Sequence, residues 1–175
     1  MYYGEIKNCD IANGLGVRIS LFVSGCRNCC KNCFNEVTWS FTYGNPFTKD
    51  TVKDILDLLK PDYIDGLTIL GGEPLEPENQ KGVLDLIKKV KNTYKDKKTI
   101  WIYTGFTYEE LTEDESCRAH TDLIPDIFKQ LDILVDGRFV EELKDIRLKF
   151  RGSSNQRVID MKQTLQTGKI TLLQL

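Results

Sequence analysis

Four short apolar runs, each closing on a glycine and each separated from the next by a longer stretch, constrain this chain more than any other feature. They are Val17–Gly25 (VRISLFVSG), Leu67–Leu70 (LTIL, followed by Gly71-Gly72), Thr99–Tyr103 (TIWIY, followed by Thr104-Gly105) and Ile133-Leu134-Val135 (followed by Asp136-Gly137). Their β-branched and aromatic content predicts strands. Between them, Val52, Ile55, Leu56 and Leu59 fall on one face of a helix over 51–60 that Pro61 ends. Val83, Leu86, Ile87, Val90 and Tyr94 mark a second helix. Leu123–Leu131 is expected to be a third, with Pro125 tolerated in its first turn. Alternating strands and amphipathic helices imply an α/β fold with a mainly parallel sheet and helices on its outer face. In such folds chemistry gathers beyond the carboxyl ends of the strands, where the Gly- and Cys-rich segments fall. Thr112–Thr121 reads as a polar loop, and the alternation becomes hard to follow after Phe139.

A length of 175 residues predicts one domain spanning 1–175. With 24 Lys+Arg against 26 Asp+Glu, the net charge of −2 argues against a basic nucleic-acid binder. No apolar run approaches the ~20 residues needed to cross a bilayer, and the first residues lack the basic and apolar regions of an export signal. No membrane or nucleic-acid partner and a cytoplasmic location are therefore expected.

The cysteines then need explaining. There are six, at positions 9, 26, 29, 30, 33 and 117, so that four fall within eight residues. A disulfide framework would spread them to close long loops of a secreted chain, whereas a tight cluster in a chain without an export signal points to a metal or redox site. In Cys26-Arg27-Asn28-Cys29-Cys30-Lys31-Asn32-Cys33, the subset Cys26, Cys30 and Cys33 has the spacing C-x3-C-x2-C. Three thiolates can hold three corners of a 4Fe-4S cube and leave the fourth iron open to substrate. The alternative is a zinc knuckle using all four cysteines, although the adjacent Cys29 and Cys30 suit it poorly. On the cysteines alone both stand.

The C-x3-C-x2-C spacing, followed about forty residues later by Gly71-Gly72-Glu73-Pro74 at a strand end, resembles the radical S-adenosylmethionine (SAM) superfamily. The resemblance implies a 4Fe-4S cluster on Cys26, Cys30 and Cys33, and SAM bound through Gly71, Gly72, Glu73 and Pro74. Glycines let the backbone approach a ligand, and a strand-end carboxylate accepts from an ammonium. Thr104, at the next strand end, is a further candidate contact to SAM. Asp10–Arg18 is similar to the segment preceding the cluster in glycyl-radical-enzyme activases. Asp132–Phe139 and Phe150–Arg157 resemble those activases that serve an anaerobic ribonucleoside-triphosphate reductase.

This resemblance implies an enzyme of the oxidoreductase class with that reductase as partner and a flavodoxin- or ferredoxin-type electron donor. Its fold would be an incomplete TIM-type β/α barrel, trimmed because the chain is short. No side chain is expected to act as a general acid or base. Asn32 stands where many such activases carry an aromatic residue, with Phe34 on the other side of the last cysteine, and Cys29 lies outside the motif. Two other readings differ in class: radical SAM chemistry on a small molecule in cofactor or modified-base biosynthesis, and a non-enzymatic zinc-binding module. His120 is expected to be a solvated surface residue, and Cys9 and Cys117 to be idle thiols.

Overall fold

A computed structural model describes all 175 residues. Seven strands form one mixed sheet: β1 (Tyr2–Asp10), β2 (Arg18–Ser24), β3 (Asn45–Pro46), β4 (Gly66–Gly71), β5 (Thr99–Tyr103), β6 (Ile133–Asp136) and β7 (Arg157–Asp160). Their order across the sheet is β3-β1-β2-β4-β5-β6-β7. The middle four are parallel, β2 to β4 to β5 to β6, whereas β1, β3 and β7 join antiparallel at the flanks. Because β3 and β7 end the order without pairing to each other, the strands form an open mixed sheet with no barrel closure. The flanking strands arrive through returns of the chain without a helical crossover, which is what makes them antiparallel.

The helices are α1 (Lys49–Leu59), α2 (Pro77–Tyr94), α3 (Tyr108–Thr112), α4 (Ile124–Phe128) and α5 (Met161–Thr167). Thr48 caps α1 by accepting from the Thr51 N–H, whose own hydroxyl accepts from the Thr48 N–H, so two otherwise orphaned donors are satisfied. Pro77 opens α2, where its missing N–H costs nothing. The expected helix over 123–131 is shorter than its apolar pattern, covering Ile124–Phe128. Strands β1 and β7 and helices α3 and α5 were not legible in advance.

Alternation along each strand sorts side chains to two faces. One face carries Ile19, Leu21 and Val23 of β2, Leu67 and Ile69 of β4, Ile100 and Ile102 of β5, Leu134 of β6 and Ile159 of β7. It packs on Val52, Ile55 and Leu59 of α1, Val83, Leu86, Ile87 and Val90 of α2, and Ile124, Ile127 and Phe128 of α4. The opposite face carries Arg18, Ser20, Thr68, Trp101 and Tyr103 from the same strands, with a small apolar cluster of Trp101, Ile133, Val135 and Val158. Arg18, fully buried, is held there by the hydroxyls of Thr68 and Thr99 and the carbonyls of Leu15, Leu67 and Thr99, and lies over the Trp101 ring. The carboxyl ends of the four parallel strands (Ser24, Gly71, Tyr103 and Asp136) lie at one end of the sheet. No helix is long and apolar enough to cross a membrane.

Candidate functional site

At that end the chain leaves β2 directly into the cysteine segment. Gly25 donates to the Thr38 carbonyl (2.7 Å) and Cys26 to the Trp39 carbonyl (3.2 Å), so the loop closes on itself around its thiols. Within it Cys29 and Asn32 have φ of 45° and 57°. Asparagine tolerates this left-handed region, which gives Asn32 a local reason to precede Cys33. The turn after β4 docks onto the same loop: Gly72 donates to the Val23 carbonyl and Glu73 to the Gly25 carbonyl, both at 2.8 Å. A Cβ at Gly72 would sit 2.8 Å from the Gly25 oxygen and 2.9 Å from the Thr38 oxygen. Gly71, at φ 109°, adopts a conformation that L side chains avoid. The two glycines are therefore required by the approach of two backbones.

A cavity of about 160 Å³ opens between these segments. Its walls include Cys26, Cys30, Cys33, Phe34, Gly71, Gly72, Glu73, Tyr103, Thr104, Gly105, Phe139 and Gln156. Three of the four clustered thiols face it, and Cys29, exposed, does not. Pro74 is buried but is not part of the wall. No group of three or more His, Cys, Asp or Glu side chains stands close enough to hold a single ion. The donor set nonetheless fits an iron–sulfur cluster: three thiols on one short loop, all opening on the same space. Burial pushes the Cys26 thiol up to about 12 and raises that of Cys30 as well. Those sulfurs become thiolates when a cation coordinates them, since a bound metal ion deprotonates a coordinating thiol outright.

Glu73 forms the floor of the cavity and is 1% exposed. Its Oε1 accepts from the Leu75 N–H (2.9 Å) and the Thr104 hydroxyl (2.8 Å), its Oε2 from the Gly105 N–H (2.7 Å) and the Asn28 amide (3.0 Å). No Lys, Arg or His forms a salt bridge with it. Burial raises its pKa to about 7 despite these donors. Thr104 lines the cavity beside Glu73, to which its hydroxyl donates. The Tyr103 hydroxyl, also buried, has no partner.

Three residues away Glu76 is treated differently. It is fully buried, accepts from the Arg27 N–H and guanidinium (2.8 and 2.9 Å), and accepts two further bonds from Arg118 (3.0 and 2.9 Å). Arg27 also pairs with Glu78. The cysteine loop is clamped to the start of α2 by these cations.

Asn28, Tyr103, Gly105 and Gln156 also line the site, although none of them was singled out as a candidate residue. The one available signal was position: Tyr103 and Gly105 flank Thr104 at a strand end, and Gln156 lies within the Phe150–Arg157 tract. Gln156 accepts from the N–H groups of Gly152 (2.8 Å) and Ser153 (3.1 Å) and donates to the Gly137 carbonyl (3.0 Å), so that polar tract folds back over the β6 end. His120 is half-buried, its Nδ1 inaccessible and without a partner, and so differs from the solvated residue expected. Cys9 is exposed, and Cys117 packs partly against the core.

A family described as a 4Fe-4S single cluster domain matches residues 12–159. Among curated relatives, proteins called anaerobic ribonucleoside-triphosphate reductase-activating protein are 42% identical in Vibrio cholerae serotype O1 (89% of this chain, 96% of that one). The corresponding figures are 38% in Escherichia coli K12 (90% and 97%) and 37% in Enterobacteria phage T4 (90% and 93%). With similarity of this extent laid over three thiols, a Gly-Gly-Glu turn and one shared cavity, the chain belongs to the family of anaerobic ribonucleoside-triphosphate reductase-activating proteins, within the 4Fe-4S single cluster domains.

Proposed function

We propose that this chain is a radical SAM activase that installs a glycyl radical on an anaerobic ribonucleoside-triphosphate reductase. The observation that carries the reading is the meeting, in one cavity, of three thiols with the fourth left outside and a buried carboxylate that has no protein cation. Cys26, Cys30 and Cys33 would hold three irons of a 4Fe-4S cluster, leaving one corner for SAM. Gly71 and Gly72 bring backbone close to the methionine moiety, and Glu73 accepts from its ammonium. Thr104 and Pro74 fix that turn. Loaded with the cluster and SAM, the site would supply radical chemistry: one electron from the reduced cluster would cleave SAM at its sulfur–C5′ bond to methionine and a 5′-deoxyadenosyl radical, which would take a hydrogen atom from a glycine Cα of the reductase. The protein contributes position, charge and exclusion of water.

The same reading gives the remaining assignments. The electron donor is a flavodoxin or ferredoxin, the location is cytoplasmic, and residues 1–175 act as one radical SAM domain. The open sheet is a trimmed form of the partial β/α barrel.

The test mixes anaerobically reconstituted protein with SAM, reductant and the reductase, and looks for a glycyl radical by electron paramagnetic resonance. Cys30→Ala abolishes the signal, and Cys29→Ala largely keeps it. Equal loss in both variants rejects the thiol triad. SAM cleavage with no radical on the reductase favours a small-molecule substrate.

A further inference from the structure

Five carboxylates are buried: Asp10, Glu73, Glu76, Asp132 and Asp136. Three carry cations, Glu76 with Arg27 and Arg118, Asp132 with Lys91 and Lys162, and Asp136 with Arg157. Asp10 is held by its own neighbours Ala12, Asn13 and Ser20. Glu73, by contrast, lines a cavity, has no cation, and is already saturated by four donors, the number an ionised carboxylate can readily accept. A ligand ammonium reaching Glu73 must therefore displace one of them.

The four are not equally free to leave. The Leu75 and Gly105 donors are main-chain groups at a helix approach and a strand end, and Thr104 is 5% exposed. Asn28 is the exception. It lies in the cysteine loop, is half-exposed, and makes the longest of the four bonds, at 3.0 Å. Its other end is held elsewhere: Arg118 Nη2 donates to Asn28 Oδ1 at 2.7 Å, while Nη2 and Nε also donate to Glu76. Only one amide orientation faces a guanidinium with oxygen and a carboxylate with NH2, so the chain Glu76–Arg118–Asn28–Glu73 is directional. Exchanging a neutral amide for an ammonium also gives the buried carboxylate the charge-assisted bond it lacks.

Resting on the SAM reading above, we infer that Asn28 is a displaceable stopper on Glu73: the ligand's ammonium takes its place, and the released amide, still hinged on Arg118, carries ligand arrival into the Cys26–Cys30 loop. Asn28 and Arg118 are positioning residues. Their presence lowers resting affinity and couples the ligand pocket to the metal-binding loop.

The experiment is calorimetric titration of iron–sulfur-loaded protein, under anaerobic conditions, with SAM and with its deaminated analogue. Losing one competing hydrogen bond should tighten SAM binding to Asn28→Ala about three- to tenfold. The deaminated analogue, which has no ammonium to compete, should bind wild type and variant equally. Arg118→Lys, which keeps a cation for Glu76 but gives up the fork that reaches Asn28, should show a smaller gain of the same sign. Unchanged or weaker SAM binding by loaded Asn28→Ala overturns the inference and leaves the proposed function standing. A loaded wild-type protein that binds no SAM sinks both. If Asn28→Ala loses its iron, the Arg118→Lys titration decides, and no gain there rejects the stopper.

Discussion

The same strands present very different chemistry on the two faces of the sheet. On the helix-covered side, Ile19, Leu21, Ile69, Ile100 and Ile102 are fully buried among other aliphatic side chains. One residue along each strand, the other side presents a guanidinium, hydroxyls and a phenol: Arg18, Ser20, Thr68 and Tyr103. Because side chains alternate with a period of two, each strand contributes to both at once. The apolar face can carry most of the burial energy, which leaves the other face to satisfy polar groups one by one and to hold a cavity at the strand ends. Burial lowers the Arg18 pKa to about 10, a measure of how dry even the polar face is.

Substitutions on the two faces should separate these roles. Ile69→Ala, in the centre of the apolar face, is expected to cost about 2–5 kcal/mol in urea unfolding, with iron bound per folded molecule unchanged. Arg18→Met removes donors from several buried acceptors but also removes a desolvated charge, so its cost should be smaller, about 1–3 kcal/mol. A loss from Arg18→Met equal to that of Ile69→Ala would erase the distinction between the faces.

Asp132, at the start of β6, tests the far end of the sheet. Burial opposes ionisation, but Lys91, Lys162 and the Ile100 N–H together hold its carboxyl below the usual value. A depressed carboxyl contributes stability above its unfolded pKa and loses it as pH falls through the folded one. Asp132→Asn should therefore cost about 1 kcal/mol at pH 7 and flatten the decline in stability below pH ~4. The smallest effect belongs to Phe34→Ser. At 92% exposure, Phe34 should leave stability within about 0.5 kcal/mol of wild type by thermal unfolding, and a larger loss would mean that the cavity rim is structural.

The apolar face was the legible one. The apolar positions of β2, β4, β5 and β6 and of α1 and α2 follow directly from the period of the side chains, because burial against helices rewards a repeating pattern. Strand β1 escaped notice because its residues are mostly half-buried or exposed, without clean alternation. Strand β7 is only four residues long and follows a polar tract. The mainly parallel centre of the sheet follows the expected α/β pattern, whereas the antiparallel strands at its flanks were not foreseen.

At the site, the cysteine spacing and the Gly-Gly-Glu turn were readable because each is local in sequence. The link from Arg118 through Asn28 to Glu73 was not, since it spans residues 28 to 118 and exists only after the crossovers are made. Glu73 also departs from the simple expectation of a waiting acceptor: its oxygens are occupied. The two glycines before Glu73 mark it out from Glu76 in the sequence, but not the difference in surroundings: one meets neutral donors and the other arginines.

Gln156 comes from the Phe150–Arg157 tract, far along the chain from the cysteines, yet it lines the cavity and is tied to the Gly137 carbonyl just after β6. A truncated protein stopping at Phe139 would retain each cysteine and the whole Gly-Gly-Glu turn while missing one side of the chamber they open into. The tail is thus a piece of the vessel as well as of its support, since Ile159 and Met161, beyond Gln156, are fully buried in the core.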